Sequence, residues 1–329
     1  MKRFQLGALL LAALLVTVPA LRALAQADDY PNHPVNFIVP FAAGGVTSLF
    51  ARTLAQGLDK QLGKPFVVEN RAGGGGLPAV KAVAHGASDG YTILMASSTA
   101  MAINVSVRKD LPYDPRKDLQ VVSLIAKVPF VLVVNPDLPV HSVKDLIALI
   151  RSKPGKINFG TPGPGTFHHL NAELFKSMFG LDIVHVPYKG SAPALTDLIA
   201  GNIQMMFCDL PPALGLIRAG KIRALGVTTA QRVEAAPELP PLAEVGIPGF
   251  DTASWHSVAT QGQVPKPIVD KLHNALAAVM KDPAIHEVLV HNGTIPQVSP
   301  SPAELKKFVV SEIDRWGAVV EKAGLKGSR

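Results

Sequence analysis

Two glycine-containing loops carry residues that suit the binding of an anion. The first loop, residues 40–48, follows an apolar run and leads into a helical pattern, with Thr47 and Ser48 as candidate N-caps. The second loop, Gly160–Thr166, has the same position between a strand and a helix. Backbone N–H groups at a helix start, helped by hydroxyls, can hold a carboxylate without Lys or Arg. Each loop alone is more often explained by ordinary turn chemistry, so the binding hypothesis rests on the two occurring together.

A third glycine run, Gly73–Gly76, precedes a predicted helix over residues 77–85. Its amides could approach an anion at the helix start. A tight turn with positive backbone angles explains the same glycines, and both interpretations stay open at this point.

The sequence matches motifs of catalytic, nucleotide-binding and metal sites less well than it matches an anion-binding loop. Thr166 stands where a phosphate-binding Walker loop needs Lys, and Gly163–Gly165 lacks the third glycine of the dinucleotide fingerprint. Residues Gly86–Gly90 match the pattern G-x-S-x-G, but a helix precedes them and a strand follows, which reverses the order of a nucleophile elbow. His168 and His169 are adjacent and point in different directions on a helix, which disfavours joint metal binding.

The loops belong to a repeating strand-then-helix pattern, which predicts an α/β fold with mainly parallel sheets flanked by helices. The predicted strands are 35–39, 66–68, 91–95, 121–125, 130–134, 157–159, 183–186, 203–207, 222–227 and 254–260. The other predicted helices are 47–58, 142–151, 166–179, 193–200, 212–219, 265–280, 284–291 and 302–323.

The strand-helix series restarts after a proline-rich stretch and makes one compact unit. We expect this unit, residues 128–252, to be inserted into an outer lobe formed by residues 26–127 and 253–329. Two chain crossings then join the lobes, with hinges near residues 125–129 and 253–258 and a cleft between the lobes.

The N-terminus predicts export. Met1–Arg3 is a short basic start, Leu6–Val18 is apolar, and small residues follow at the positions that signal peptidase requires. We therefore expect a signal peptide over residues 1–25, cleaved after Ala25 or Ala27, and a soluble periplasmic protein. A retained anchor helix is the alternative, although the apolar run is short for a membrane span.

Composition excludes several classes of protein. Of the 329 residues 17% are charged and 48% hydrophobic, which is incompatible with intrinsic disorder. The net charge of +7 falls to +4 without Lys2, Arg3 and Arg22 of the signal. No run of like charges occurs and only 6% of residues are aromatic, so nucleic acid is not an expected partner. The single cysteine, Cys208, can form neither an internal disulfide nor a thiolate zinc site.

Several stretches of the chain form a more specific combination. They are VNFIVPFAAGGVTSLFAR, VVENRAGGGG, DGYTILMASS, LPYDPRKDLQVVSLIA, VLVVNPDLPVHSVKDLIALI, GTFHHLNAELFK, VHVPYKGSAPALTDLIAGNI and GKIRALGVTTAQR. Together they resemble the tripartite tricarboxylate transporter solute receptors, the TctC or Bug-type extracytoplasmic binding proteins, and the resemblance covers Tyr30–Leu325 in the right order. It implies a two-lobed, type II-like periplasmic binding protein that closes over a small carboxylate, with no cofactor, metal or catalytic residue.

The resemblance also implies a set of ligand-binding residues drawn from both lobes. They are Phe41, Ala42, Ala43, Gly44, Gly45, Thr47, Ser97, Ser98, Thr99, Thr161, Gly165, Thr166, His169, Tyr188, Ala192 and Asp209. Two departures from the family pattern stand out, because Ser48 and Cys208 occupy positions where the family commonly has an acid. We therefore expect an anionic ligand with a rather apolar body.

Two classes of function follow. The first is a monomeric receptor that delivers a small carboxylate to the membrane permease subunits of a tripartite transporter, or presents it to a sensor. The second is a periplasmic hydrolase or transferase on a similar two-domain frame. Such an enzyme needs a base beside a nucleophile, or a set of metal ligands, and the spacing of residues shows neither.

Overall fold

The structure is a computed structural model that describes residues 29–328, apart from Ala42, Gly44, Gly45, residues 73–75 and Lys189. The predicted signal peptide and both cleavage sites lie outside the described residues, as does most of the glycine run that ends at Gly76.

The described chain alternates strands and helices. The strands are β1 (Val35–Val39), β2 (Phe66–Asn70), β3 (Thr92–Ser97), β4 (Leu119–Val134), β5 (Asn158–Thr161), β6 (Val184–Pro187), β7 (Met205–Asp209), β8 (Arg223–Val227), β9 (Ala253–Gln261) and β10 (Ile295–Pro296). The helices are α1 (Val46–Leu62), α2 (Leu77–Ala84), α3 (Asn104–Val107, directly after a π-helical turn at Thr99–Ile103), α4 (Val143–Ser152), α5 (Phe167–Phe179), α6 (Ser191–Ile199), α7 (Leu210–Arg218), α8 (Lys266–Val279), α9 (Pro283–His291) and α10 (Pro302–Lys322). No helix in the described part of the chain is long and apolar enough to cross a membrane.

Local sequence signals fix where several helices begin. The Ser142 side chain accepts a hydrogen bond from the Asp145 N–H at the start of α4. At the start of α10, Ser301 and Glu304 form a reciprocal capping box. Such caps satisfy backbone donors that have no partner within the helix. Most predicted boundaries of helices and strands agree with the structure within two residues.

The strands form one curled mixed sheet in the order β2-β1-β3-β9-β4-β7-β5-β6, with β8 and β10 also paired to β4. The predicted parallel pairs occur at both ends, where β1 pairs with β2 and β3, and β5 pairs with β6 and β7. The middle differs from the expectation of mainly parallel sheets, because β9 runs antiparallel to β3 and β4. The reason is topological: β4 takes the chain from the half of the sheet that contains β1, β2 and β3, here called the first lobe, to the half that contains β5, β6 and β7, the second lobe. β9 then returns the chain to the first lobe.

The predicted strands 121–125 and 130–134 are in fact one strand, the 16-residue β4. Pro129, which lacks an N–H, lies where β4 changes partner: it pairs with Ala253 of β9, and Phe130 pairs with Asp209 of β7. A proline is tolerated at such a change of partner because no continuous ladder is interrupted there.

Apolar side chains cover the sheet on both faces and also join the lobes. In one cluster, Phe130 and Phe167 of the second lobe pack with Trp316 of α10. The Phe167 and Trp316 rings meet edge to face with centroids 4.6 Å apart. The loop before α5 is equally close, since a side chain at Gly165 would lie 2.7 Å from a methyl group of Val107.

This close approach gives a stability prediction. Gly165 and Gly63 have nearly the same left-handed φ, +68° and +70°, but Gly63 faces open space. Gly63→Ala should lower the free energy of unfolding by about 1–2 kcal/mol through backbone strain alone. Gly165→Ala should lower it by about 1–3 kcal/mol more, because the methyl group overpacks Val107. Urea unfolding of the two variants measures the difference, and equal effects would show that the loop does not pack tightly on the first lobe.

Candidate functional site

A cavity of about 820 Å³ lies between the lobes. It is open at the carboxyl ends of β1, β3, β5 and β7, the edge where ligands of open α/β sheets bind. Both lobes line it, through Phe41, Thr47, Ser97, Ser98, Thr99, Val128, Phe130, Pro162, Thr166, Phe167, His168, Gly190, Ser191, Asp209, Pro211, Pro212, Ser254, His256 and Asn292.

Four helices begin at the wall of this cavity. The first turns of α1, α5, α6 and α7 contribute Thr47, His168, Ser191 and Pro211 to its wall. Unpaired N–H groups and the helix dipole make the starts of α1, α5 and α6 favourable for anions. In the first turn of α7, Pro211 and Pro212 have no N–H to offer. No Lys or Arg occurs among the described lining residues, so hydroxyls, amides and imidazoles supply the hydrogen-bond donors.

The acid on the cavity wall, Asp209, is compensated by its neighbours. Its Oδ2 atom lies 3.0 Å from His168 Nε2, and the Ser191 hydroxyl lies 3.3 Å from the same nitrogen. Burial raises the pKa of the Asp209 carboxyl, but His168 and His256 outweigh burial and hold the pKa below its usual range. Asp209 is therefore an ionised acceptor that pairs with His168 rather than a free charge facing a ligand.

In the first lobe, Thr47 and His256 form a second polar pair. Thr47 Oγ1 lies 3.1 Å from His256 Nε2, and the Phe50 ring packs edge-on against the imidazole with centroids 6.1 Å apart. Burial lowers the pKa of His256 to about 4, although the nearby Asp209 acts in the opposite direction. His256 is therefore neutral at ordinary pH, and the pair offers a hydroxyl and an imidazole without a formal charge.

Aromatic and proline side chains make up much of the rest of the wall. Phe130 and Phe167 stack with centroids 5.8 Å apart, and Phe130 also meets the edge of His168 at 5.0 Å. Pro162, Pro211 and Pro212 extend this surface, and prolines present no backbone N–H. A ligand that fills the cavity must therefore combine a polar group with an apolar body.

Comparison with known proteins identifies the family. Residues 50–325 match the sequence profile described as the tripartite tricarboxylate transporter family receptor. The chain belongs to this family. It is 38% identical to the protein BugT of Bordetella pertussis over 313 residues, which cover 94% of this chain and 95% of BugT.

Solved structures agree with this assignment. The structure of R. palustris Rpa4515 with adipate has a TM-score of 0.79 and 40% identity, and the match covers 90% of this chain and 99% of Rpa4515. MatC from Rhodopseudomonas palustris with bound malate has a TM-score of 0.76 and 30% identity, covering 88% of this chain and all (100%) of MatC. The expected two-lobed α/β binding-protein fold is confirmed. Members of the family are solute-binding receptors and not enzymes, so the hydrolase or transferase alternative is wrong.

Seven of the residues predicted to bind ligand line the cavity of this receptor. They are Phe41, Thr47, Ser97, Ser98, Thr99, Thr166 and Asp209. Ala42, Gly44 and Gly45 lie outside the described residues. The cavity wall does not include Ala43, Thr161, Gly165, His169, Tyr188 or Ala192.

Three of the residues away from the wall form a cluster behind the 160–166 loop. The buried Thr161 hydroxyl lies 2.6 Å from His185 Nε2, and the His169 ring stacks on His185 with centroids 3.9 Å apart. His169 Nδ1 accepts a hydrogen bond from the Gly165 N–H at 3.2 Å. These side chains hold the loop that presents Thr166 to the cavity. Tyr188 is also engaged elsewhere, because its hydroxyl donates to Asp197 at 2.7 Å.

Sequence reasoning missed two histidines on the wall. The predicted site residue is the neighbouring His169. Adjacent side chains on a helix diverge, and only His168 reaches the cavity. His256 lies on a predicted strand with no motif around it, so its sequence neighbours gave no signal. In the described chain, no three His, Cys, Asp or Glu side chains are placed to hold a metal ion.

Ser48 and Cys208, which stand where the family commonly has an acid, do not lie on the cavity wall. Ser48 is 1% exposed and its hydroxyl donates to Asn70, while Cys208 is fully buried against the sheet. Neither lines the cavity, because side chains alternate along β7 and Cys208 points away from the side that Asp209 faces. An acid at either position would therefore not face the cleft in this arrangement.

The low pKa of His256 gives a prediction for stability against pH. The pKa of His256 is about 4 in the folded state and 6.5 in the unfolded state. Between pH 4 and pH 6.5 the unfolded chain therefore binds a proton at His256 that the folded protein does not. Stability should then be complete above pH 6.5 and fall as the pH decreases towards 4, by about 3 kcal/mol from this residue.

His256→Gln should reduce that loss when urea unfolding is measured from pH 7 to pH 4. His185 also has a pKa lowered to about 4 by burial, so part of the pH dependence remains in the variant. His141→Gln, at an exposed position, controls for the removal of an imidazole. An unchanged pH dependence in His256→Gln would show that the ring is not buried as described.

Proposed function

We propose that this receptor captures a small carboxylate with an apolar body in the cleft between its lobes and delivers it to the membrane permease of a tripartite transporter. The observation that carries the proposal is the cavity wall, which combines four helix N-termini and several hydroxyls with aromatic and proline surface. The related receptors seen with adipate and with malate support a carboxylate as the class of ligand.

The wall explains how an anion can be held without a cation. Burying a carboxylate without hydrogen bonds is very unfavourable, so several donors must converge on it. Donors come from both lobes, with the Thr47 and Thr99 hydroxyls on one side and the Ser191 hydroxyl on the other. The Thr166 hydroxyl donates to the Gly163 carbonyl and caps α5, so it holds the loop in place. Charge-assisted bonds of this kind are about twice as strong as neutral ones, and each contributes about 1.5–3 kcal/mol.

The location of the receptor follows from the same proposal. A cleaved signal over residues 1–25 would release it into the periplasm, where a permease of the inner membrane is accessible. Presentation of the loaded receptor to a sensor is the second possible role, and it needs the same closed, ligand-bound form.

The proposed domain division follows the strand crossings. Residues 128–252 form the inserted lobe, and residues 26–127 and 253–329 form the outer lobe. The antiparallel pair β4 and β9 joins them, and its register is irregular between Val121 and Ser123 and between Leu124 and Ala126. Irregular pairing close to the crossing supports a hinge over residues 125–129 and 253–258.

The ligand class can be tested directly. Adipate, hexanoate and hexanamide share an alkyl chain but differ in charge, and we expect the acids to bind at least tenfold more tightly than the amide. This factor corresponds to about 1.4 kcal/mol, the size expected for even one charge-assisted bond. Titration calorimetry measures the affinities, preceded by a thermal-shift screen of aliphatic and aromatic carboxylates, because a ligand at 100 times its Kd adds about 2.7 kcal/mol to stability.

A matched pair of variants checks that binding occurs in the cavity. Phe41, on the wall, and Val67, outside it, are both exposed apolar residues, at 40% and 50%. Phe41→Ala should weaken binding of the tightest acid severalfold, whereas Val67→Ala should not. Equal affinity for acid and amide, or binding that ignores Phe41→Ala, would contradict the carboxylate site.

Lobe closure is a separate prediction. A ligand that bonds to both lobes stabilises the closed form, so the radius of gyration from X-ray scattering should decrease when a tight ligand is added. Phe41→Ala at the same ligand concentration, with its binding weakened, serves as the comparison. A tight ligand that causes no compaction would rule out closure about the β4 and β9 crossing.

A further inference from the structure

Thr47 and His256 come from distant parts of the first lobe and meet at the cavity wall. Thr47 lies in the first turn of α1, and His256 lies on β9 beside the chain crossing. Their side chains are 3.1 Å apart through Oγ1 and Nε2. The edge-on contact with Phe50 restricts rotation of the imidazole, so this distance is held by packing as well as by the hydrogen bond.

The second ring nitrogen decides the direction of this hydrogen bond. His256 Nδ1 is buried and has no hydrogen-bond partner among the described residues. If Nδ1 carried the proton, a buried N–H would lack an acceptor. Buried donors without an acceptor are rarer in folded proteins than buried acceptors without a donor. With the proton on Nε2, the imidazole donates to Thr47 Oγ1, and the hydroxyl proton of Thr47 must then turn elsewhere.

We propose that His256 is a positioning residue. It does not contact the ligand, but its hydrogen bond to Thr47 Oγ1 orients the Thr47 hydroxyl so that this hydroxyl donates to the ligand carboxylate. The inference rests on the proposed function, since it names the group that orients one contact of that site. A hydroxyl is normally both donor and acceptor, and accepting from His256 leaves Thr47 its single proton for the ligand. The chain of two hydrogen bonds polarises both members towards the anion.

This arrangement determines which ligand group fits beside Thr47. A carboxylate oxygen accepts from the fixed donor, whereas a hydroxyl, ammonium or amide N–H of a ligand would find one of the two lone pairs of Oγ1 already used. The charged group that acts on His256 is Asp209, which in turn pairs with His168. Burial holds the pKa of His256 at about 4, so the orientation persists across the periplasmic pH range.

The direction of the bond can be measured without any ligand. In the 15N-labelled receptor at pH 7, imidazole nitrogen shifts, assigned by comparison with His256→Gln, should show His256 protonated at Nε2 and not at Nδ1. Protonation at Nδ1 would overturn the inference whatever the ligand proves to be.

The effect on binding is tested by a double-mutant cycle with adipate and hexanoate as probes, using calorimetry at pH 7. Gln places an amide nitrogen near the position of Nε2, whereas Asn places it near Nδ1 and Leu offers no donor. His256→Gln should keep the affinity within about threefold. His256→Leu and His256→Asn should weaken it on the order of tenfold, the factor that about 1.4 kcal/mol represents.

Substitutions at Thr47 complete the cycle. Thr47→Ser keeps the hydroxyl and should retain binding, whereas Thr47→Val should lose about as much affinity as His256→Leu. In the Thr47→Val background, His256→Leu should have no further effect, because it acts through the missing hydroxyl. Circular dichroism and thermal unfolding confirm that each variant is folded.

The outcomes separate this inference from the proposed function. If the wild-type receptor binds neither probe nor any carboxylate of the screen, the proposed function fails, and the nitrogen shifts still decide the orientation of His256. If a probe binds and the two substitutions add independently, or if His256→Leu binds like wild type, His256 does not position Thr47.

Discussion

The antiparallel pairing of β4 with β9 is the constraint on which the rest of the structure depends. The pair runs from Leu119 opposite Gln261 to Pro129 opposite Ala253, and it ends where β4 changes partner to β7 and the two halves of the sheet join. The carboxyl ends of β1 and β3 in the first lobe and of β5 and β7 in the second lobe all lie at the cleft. The cleft is thus a consequence of topology, because the loops after β1, β3, β5 and β7 have no other common edge to occupy.

The cleft handles negative charge through dipoles instead of cations. Helix N-termini and hydroxyls surround it, and its acid, Asp209, stands at the N-terminus of α7 in contact with His168. This placement stabilises the ionised form of Asp209 twice, through the helix dipole and through the imidazole. The Asp209 carboxylate is therefore engaged by its surroundings and does not face the cleft as a free charge.

Much of the fold could be predicted from the sequence, because caps, glycines and apolar periodicity act locally. The strand-then-helix order and most element boundaries followed from these signals, and the family resemblance supplied the two-lobed arrangement. Pairing within the sheet could not be predicted in the same way: the union of two predicted strands through Pro129 depends on partners more than 70 positions away, at Asp209 and Ala253.

In the candidate site, too, features set by local sequence could be predicted and features set by tertiary packing could not. Loop residues such as Thr47 and Thr166 were accessible to reasoning from spacing, whereas the choice between His168 and His169 depends on the rotation of α5 against the rest of the fold.

The two histidines of α5 show how the loop and the cleft are coupled. His169 faces inward, where it accepts from the Gly165 N–H and stacks on His185, while His168 faces outward and pairs with Asp209. The first turn of α5 therefore holds the 160–166 loop through His169 and the Asp209 carboxylate through His168.

A wall built from neutral donors on two separate lobes also has a consequence for the movement of the lobes. In an open form, an anion would reach the donors of one lobe only, and its remaining lone pairs would stay in water. If the lobes close as proposed, the second set of donors becomes available only in the closed form, and the resulting difference in binding free energy would drive the closure.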